Sequence, residues 1–347
     1  MVNARAAIAR APAANIGLGC LDVSIATPDA TRGFYRGTRF DWAGMITEVR
    51  LGRSRFYGPW FDGIAPNIRD FTDDGRTVVA GPQTAATGPA EEFIGPKPDP
   101  VPGYADAPVG GTFLKIGVGR LRKSDAEPYS RFRSYAIVDG GGWETRRTAR
   151  GLMFRQRVAS DAAGYGYGYE KEVRLSRDGV VEIVHRLRNT GTRPISTQVY
   201  NHNFTRFDGR DVGPGVGVDF PYPLAVATTT PQLAAVTGST LRYLALLAAG
   251  DHVTLAPTGF TSDPRTSGFT ITGPSGAQIR ATSDVPIVRA QLWSVRSVVA
   301  VEPFVAIDLA PGADKRWTWR YTFTGGAAAR CSEASRKLIV TIKKYSF

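Results

Sequence analysis

The sequence has few of the residues that most often bind metals or form disulfides. It contains 347 residues, of which only three are histidine and two are cysteine. Cys20 and Cys331 lie in poorly patterned terminal regions, and one pair of cysteines does not make a disulfide framework. The scattered histidines and remote cysteines give no spacing typical of a zinc site. The sequence therefore predicts no metal and no other cofactor.

Long apolar runs are also missing. No run approaches the roughly 18 residues that a membrane span needs, and the hydrophobic content of 42% is ordinary for a globular chain. We expect a folded, soluble protein that does not associate with membranes. The first fifteen residues lack the apolar centre of a secretory signal. A cytoplasmic location is therefore expected, with a periplasmic or secreted location as the alternative if this start site omits an export signal.

Acidic residues are outnumbered, with 31 Asp and Glu against 43 Lys and Arg and a formal net charge of +12. Of the basic residues, 35 are arginine, and they are scattered along strand-like segments instead of forming one cluster. No motif of a DNA- or RNA-binding protein accompanies them, so nucleic acid is not an expected partner. The positive charge could still attract acidic polysaccharides or sugar phosphates over a long range.

What the chain does have is a dense series of short alternating segments. They are separated by turn signals drawn from 39 glycines and 23 prolines, while helical periodicity is nearly absent. This pattern predicts an all-β sandwich or barrel. The expected strands include Gly44–Leu51, Phe113–Val118, Glu170–Leu175, Val180–Leu187, Phe269–Thr272, Val285–Trp293 and Trp317–Phe323.

No repeat and no linker divides the chain, so we expect one large domain over residues 21–325. Residues 1–20 are expected to be an irregular lead-in, and residues 326–347 a C-terminal tail. Two long loops interrupt the strands, one over Gly58–Gly111 and one over Arg206–Tyr222. Loops of this length are usually functional. We expect both to line one mouth of the sandwich.

Two residues stand out as a candidate acid/base pair. His202 lies in the polar and aromatic segment Tyr200–Phe204 at the end of a predicted strand, and a histidine can exchange a proton near neutral pH. Glu302 is a lone carboxylate between Val301 and Pro303 in an otherwise apolar run. Such a pair can perform general acid/base catalysis. The alternative is a pair of satisfied structural residues.

The segments around these two residues resemble the aldose 1-epimerase (galactose mutarotase-like) superfamily. The segment Thr197–Gly209 is similar to that family's Asn-His-Ser-Tyr-Phe-Asn-Leu segment, and it too follows an Asn-Thr-Gly turn. Val299–Phe304, followed by Leu309–Gly312, is similar to the family's glutamate segment and the Leu-x-Pro-Gly run after it. Phe34–Ile46 resembles a poorly characterised bacterial branch. The resemblance covers roughly residues 20–325.

The resemblance implies a single-domain β-supersandwich that binds a sugar or oligosaccharide and interconverts its anomers by acid/base ring opening. It implies that Glu302 is the catalytic base and His202 the catalytic acid, with no metal, nucleotide or covalent nucleophile. Residues expected to bind substrate are Arg39, Glu91, Glu92, Asn201 and Asn203.

One departure from the family pattern keeps the function open. Where the family has Asn-x-Leu-His-Gly-Gly, this chain has Gly88–Gly95, which contains Glu91 and Glu92 and no histidine. The alternatives are therefore a non-catalytic carbohydrate-binding module and a polysaccharide lyase or hydrolase that uses the same cleft. The identity of the sugar and the oligomeric state are not predicted. Arg39 and Asp41 could equally be a structural ion pair.

Overall fold

The computed structural model describes residues 1–96, 100–225, 230–326 and 339–342. Strands dominate this part of the chain, as the sequence predicts. It contains one α-helix, α1 (Ala4–Arg10), and two single turns of 3₁₀ helix, at Phe207–Gly209 and Pro264–Thr266. Its helices are all too short to cross a membrane.

The strands in chain order are β1 (Val2–Asn3), β2 (Ala13–Leu18), β3 (Leu21–Ala26), β4 (Met45–Leu51), β5 (Ser54–Tyr57), β6 (Gly63–Ile64), β7 (Phe71–Asp73), β8 (Val78–Ala80), β9 (Gly88–Phe93), β10 (Thr112–Lys115), β11 (Gly119–Arg122), β12 (Ile137–Asp139), β13 (Gly142–Arg147) and β14 (Gly151–Val158). They continue as β15 (Tyr167–Arg177), β16 (Val180–Asn189), β17 (Ile195–Phe204), β18 (Gly217–Asp219), β19 (Ala234–Thr237), β20 (Thr240–Tyr243), β21 (Val253–Leu255), β22 (Phe269–Thr272), β23 (Gln278–Ser283), β24 (Arg289–Val295), β25 (Val298–Leu309), β26 (Asp314–Thr324) and β27 (Ile339–Ile342).

Two large antiparallel sheets form the sandwich. The ten-stranded sheet has the order β13-β14-β15-β16-β26-β23-β22-β18-β20-β19, and a five-stranded sheet has the order β21-β24-β25-β17-β9. Phe93 of the five-stranded sheet packs edge to face on Tyr169 and Trp317 of the ten-stranded sheet, with ring centroids 5.4 and 6.2 Å apart. The inner face of each sheet therefore buries its apolar residues against the other. This alternation of buried and exposed residues is the pattern the sequence predicts.

A cluster of buried charged side chains lies between these two sheets. Lys171 forms ion pairs with Glu91 and Asp41, and Nε2 of His185 lies 3.2 Å from the Glu91 carboxylate. The Tyr169 hydroxyl donates to Asp41 at 3.0 Å. In addition, the backbone N–H of Asp41 donates to the carbonyl of Glu91 at 2.8 Å. The cluster thus ties β9 and the segment before β4 to the ten-stranded sheet.

The described residues near the two termini are more ordered than the sequence predicts. Residues 1–20 are not an irregular lead-in, because they contain α1 and β2, and β2 pairs with both β3 and β27. The strand β27 lies in the expected tail, most of which, with Cys331, falls outside the described residues. Half of the residues of β2 are Ala or Gly, so its alternation of buried residues leaves little hydrophobic signal in the sequence. The limits of the 21–325 domain remain a prediction.

The prediction of a long loop over Gly58–Gly111 is wrong, because residues 58–111 contain the strands β6 to β9. Glu91 and Glu92 therefore lie in β9 and not in a loop. The strand has no β-branched residue and contains Pro89, both of which argue against a strand in the sequence. It is an edge strand paired with β17 alone, where a proline is tolerated because one side of the strand needs no ladder hydrogen bond.

We expect Lys171→Met to destabilise the protein strongly. The substitution removes the cation between Asp41 and Glu91, and breaking a buried ion pair on one side typically costs about 3–5 kcal/mol. The free energy of unfolding from urea denaturation at pH 7 measures the effect. Arg316→Met is the control, because Arg316 contacts Asp314 on the exposed face at 4.0 Å and such pairs contribute about 0–1 kcal/mol. Equal losses for the two variants would contradict the expectation.

Candidate functional site

The outer face of the five-stranded sheet carries the candidate site. Because side chains alternate along a strand, every second residue of the four strands faces this side. The residues on it are Arg289, Gln291 and Trp293 from β24, Phe304, Glu302 and Ala300 from β25, Tyr200, His202 and Phe204 from β17, and Glu92, Ala90 and Gly88 from β9.

His202 and Glu302 lie side by side on neighbouring strands. The register that pairs Tyr200 with Phe304 continues to the Thr205–Val299 bridge and places His202 opposite Glu302. Nε2 of His202 is 3.3 Å from the Glu302 carboxylate, and each side chain is only 6% exposed. The two proton-exchanging groups predicted from the sequence are therefore in contact.

Aromatic rings fix the orientation of the imidazole. The His202 ring stacks on Phe204 with centroids 3.7 Å apart, while Phe40 and Trp293 meet it edge to face at 6.0 and 5.6 Å. Its Nδ1 is buried and has no partner among the described residues. Packing on three sides holds Nε2 toward Glu302, as a positioned acid or base requires.

The pair lies at the bottom of a cleft of about 170 Å³. Loops that pack over the sheet supply its remaining walls. The lining residues are Arg39, Trp60, Asp70, Thr84, Arg131, Phe132, His202, Phe204, Gln291, Trp293 and Glu302. Within the ranges described, no three His, Cys, Asp or Glu side chains are arranged to hold a metal ion.

Glu92 forms the centre of a second group beside the pair. Its carboxylate accepts from Arg39 Nε at 2.9 Å and from the Tyr200 hydroxyl at 2.6 Å, and it lies 3.3 Å from Lys115 Nζ and 3.4 Å from Arg131 Nη1. Burial alone would raise the pKa of Glu92, but Arg131, Lys115 and Arg39 hold it well below its usual range. Glu92 is therefore a permanently ionised anchor for the cations of the cleft.

The electrostatic setting of the acid/base pair is different. Burial raises the pKa of Glu302 to about 7, and the positive charges of Arg39 and Arg131 only partly oppose this effect. Burial and the charge of Arg39 hold the pKa of His202 well below its ordinary value. Below about pH 7 the pair therefore contains one exchangeable proton, which lies on Glu302 in the free protein.

The structure separates the predicted substrate-binding residues into two groups. Arg39 and Glu92 lie at the cleft, but Glu91, Asn201 and Asn203 do not, so their predicted position is wrong. Asn201 Nδ2 donates to Glu91 at 3.1 Å inside the sandwich, and Asn203 Nδ2 donates to the Val301 carbonyl at 2.7 Å. The reason is the two-residue period of the strands, which sends their side chains to the face opposite that of His202.

Sequence reasoning missed several residues of the site. Tyr200 shares a strand face with His202, two residues away, so strand periodicity alone could have identified it. Trp60 and Trp293 line the cleft, and no motif in the sequence identifies either of them as a site residue. Arg131 comes from the irregular segment between β11 and β12, and no pattern in the sequence distinguishes it from the other arginines.

Comparisons with known proteins identify the fold. The chain is similar to the protein Slr1438 from Synechocystis sp. PCC 6803, with 14% identity over 91% of this chain and 96% of that one and a TM-score of 0.51. It is also similar to a galactose mutarotase-like protein from Clostridium acetobutylicum, with 10% identity over 89% and 94% of the two chains and a TM-score of 0.50. No protein-family model and no curated protein matches the chain by sequence. The fold is thus the galactose mutarotase-like β-sandwich.

We expect Glu302→Gln to stabilise the protein at pH 8. Because the pKa of Glu302 is raised from 4.5 to about 7 in the fold, the folded state keeps a proton that the unfolded chain has released, and wild-type stability falls as the pH rises between these values. A neutral amide avoids this loss, which at about 1.4 kcal/mol per pKa unit reaches about 3 kcal/mol.

Urea denaturation at pH 5 and pH 8 measures this difference. The exposed Glu144→Gln serves as the control and should leave the pH dependence of stability unchanged. A stability difference between Glu302→Gln and wild type that is the same at both pH values would show that Glu302 ionises normally.

Proposed function

We propose that this protein is an isomerase of the aldose 1-epimerase type, which interconverts the two anomers of a sugar. The contact between His202 and Glu302 at the bottom of the cleft carries the proposal. Mutarotation requires that one oxygen of the anomeric carbon loses a proton while the other gains one. Two adjacent groups that share a single exchangeable proton are suited to this exchange.

The reaction proceeds in three balanced steps. One member of the pair takes the proton of the anomeric hydroxyl and the other gives its proton to the ring oxygen, so the bond from the anomeric carbon to the ring oxygen breaks and an aldehyde forms. Rotation about the neighbouring carbon–carbon bond then presents the other face of the aldehyde. Ring closure on that face returns both protons to their original positions.

The family pattern makes Glu302 the base and His202 the acid, and this assignment remains a prediction. The raised pKa of Glu302 and the lowered pKa of His202 favour the opposite starting arrangement, in which Glu302 carries the proton and the His202 imidazole is neutral. Both arrangements contain one proton and differ only by its transfer across the 3.3 Å contact. The pair therefore titrates as a unit. Its pH profile reports that one proton is present but not which of the two residues carries it.

The size and lining of the cleft support a single sugar ring as the ligand. Its volume of about 170 Å³ is below the roughly 300–1,000 Å³ typical of sites for drug-sized ligands. Phe132 and Trp293, which are both partly exposed, offer aromatic surface to the apolar faces of a pyranose. One monosaccharide, or the terminal residue of a longer chain, fits these limits better than an internal stretch of polysaccharide.

The charges in the cleft favour an epimerase over a hydrolase. Glycoside hydrolysis generally uses two carboxyl groups, one on each side of the bond that is cleaved. Glu302 and Asp70 are the carboxyl groups of the lining, while Glu92 is bound by Arg39, Lys115 and Tyr200 and cannot approach a sugar freely. The partner in contact with Glu302 is the imidazole of His202 and not a second carboxyl group, which is the arrangement that favours an epimerase. A binding module, in turn, has no need of a buried proton-exchanging pair, because burying such groups is costly.

We expect wild-type protein to accelerate anomer exchange and His202→Ala and Glu302→Gln to lose most of this activity. Loss of a positioned acid or base lowers kcat/KM by a factor of about 10²–10⁴. Polarimetry or NMR exchange on freshly dissolved aldoses is the measurement. The exposed His252→Ala and Glu144→Gln are matched controls that should keep full activity. If wild type accelerates no sugar while both site variants still bind glycans, the binding-module alternative stands.

The activity should also depend on pH in one direction near neutrality. Because the pKa of Glu302 is about 7, the pair loses its single proton as the pH rises above this value, and kcat/KM should fall. It should stay level below pH 7 until His202, whose pKa lies well below 6.5, becomes protonated. An activity that keeps rising between pH 7 and pH 9 would contradict a one-proton pair.

A further inference from the structure

The cleft contains more positive than negative charge. Arg39, Lys115 and Arg131 share the carboxylate of Glu92, and Asp70 is the one further carboxyl group of the lining outside the acid/base pair. The pair of His202 and Glu302 adds no net charge while it keeps one proton. A neutral sugar would leave this surplus of positive charge without a partner. An unpaired charge is most costly in a buried site.

Arg289 adds a further guanidinium on the same face of the sheet, next to the residues that line the cleft. It belongs to the cleft face of β24 and lies over the Phe304 ring, 3.6 Å from its centroid. The Phe304 ring stacks on Tyr200 with centroids 4.4 Å apart, and the guanidinium of Arg131 lies 5.7 Å from the Tyr200 centroid. Two arginines therefore approach two neighbouring stacked rings on the face of the sheet that carries the cleft.

No carboxylate among the described residues forms an ion pair with Arg289. The carboxylates that act on it are Glu302 and Glu92, and these already contact His202 and Arg39. Partial burial and the charge of Arg131 both lower the pKa of Arg289, as expected for two guanidinium groups that repel each other. An anion between them would relieve this repulsion and accept charge-assisted hydrogen bonds from both.

The distance from the acid/base pair suggests where such an anion would lie on a sugar. On β24, Arg289 lies two residues from Gln291, and on β25, Phe304 lies two residues from Glu302. Two residues along a strand span about 7 Å. In a pyranose, the ring oxygen joins the anomeric carbon to the carbon that carries the exocyclic group. A sugar whose ring oxygen contacts the pair can therefore direct that exocyclic group toward the two arginines.

Resting on the proposed function, we propose that the substrate is a monosaccharide with an anionic exocyclic group, a carboxylate or a phosphate, and that Arg131 and Arg289 bind this group. These two arginines would then determine specificity, while His202 and Glu302 perform the proton transfers. Because Arg289 is exposed and lies on a ring instead of in an ion pair, it can be replaced with little effect on folding.

The first experiment compares NMR anomer exchange for glucose, glucuronate and glucose 6-phosphate. Wild type should prefer one of the two charged sugars over glucose by about tenfold or more in kcat/KM, since a hydrogen bond to a charged group contributes about 1.5–3 kcal/mol. Arg289→Gln and Arg131→Gln should bring the ratio close to one, whereas Arg289→Lys should keep part of it. Arg146→Gln, on the outer face of the ten-stranded sheet, should leave the ratio unchanged.

The outcomes separate the two sources of negative charge and overturn the inference if it is wrong. Preference for glucuronate identifies a carboxylate sugar, and preference for glucose 6-phosphate a sugar phosphate. Equal or faster exchange of glucose, or a ratio that Arg289→Gln does not change, contradicts the proposal. The preference should also decline as added salt screens the partly exposed Arg289.

A binding experiment keeps this inference distinct from the catalytic proposal. Methyl glucuronide and methyl glucoside cannot change anomer, so titration calorimetry with them tests recognition alone. Tighter binding of methyl glucuronide, lost in Arg289→Gln and kept in Glu302→Gln, supports a carboxylate site even if no sugar is isomerised. If neither exchange nor binding distinguishes charged from neutral sugars, the arginines have another role and the inference fails.

Discussion

The pleat of β9 places the adjacent carboxylates of Glu91 and Glu92 in two different buried environments. The interior of the sandwich and the cleft both depend on this arrangement. Glu91 points into the sandwich, where Lys171 and His185 contact it, and Glu92 points to the cleft, where Arg39 and Lys115 contact it. A buried charge is tolerated only with partners. Strand β9 therefore joins the ten-stranded sheet on one side and organises the cations of the cleft on the other.

The two buried His–Glu pairs show how surroundings distinguish structure from chemistry. His185 lies 3.2 Å from Glu91 and stacks on Trp317, while His202 lies 3.3 Å from Glu302 and stacks on Phe204. Lys171 lowers the pKa of Glu91, so that carboxylate stays ionised. Glu302 has no such cation in direct contact among its described neighbours, and burial raises its pKa into the range where a proton can be exchanged.

Sequence reasoning identified what depends on local pattern. Alternating residues with glycine and proline turns predicted the all-β sandwich, and the resemblance around His202 and Glu302 identified two residues that do meet. It could not recognise β9, because burial of Glu91 and Glu92 depends on cations from remote segments. It also placed Asn201 and Asn203 with His202 because it read a neighbourhood in sequence, although a strand sends neighbours to opposite faces. Arg131 and Arg289 became visible only once the strands and loops were assembled.

One backbone hydrogen bond has a consequence for assembly. Strand β9 is the edge of its sheet, and a free edge is a template on which another chain can add a strand. Because the N–H of Asp41 occupies the outward carbonyl of Glu91, and the side chain of Asp41 joins the buried cluster, this edge is covered by the protein's own chain. Intermolecular strand addition at β9 would require expelling a charged residue from the core, so the edge nearest the candidate site is protected against polymerisation.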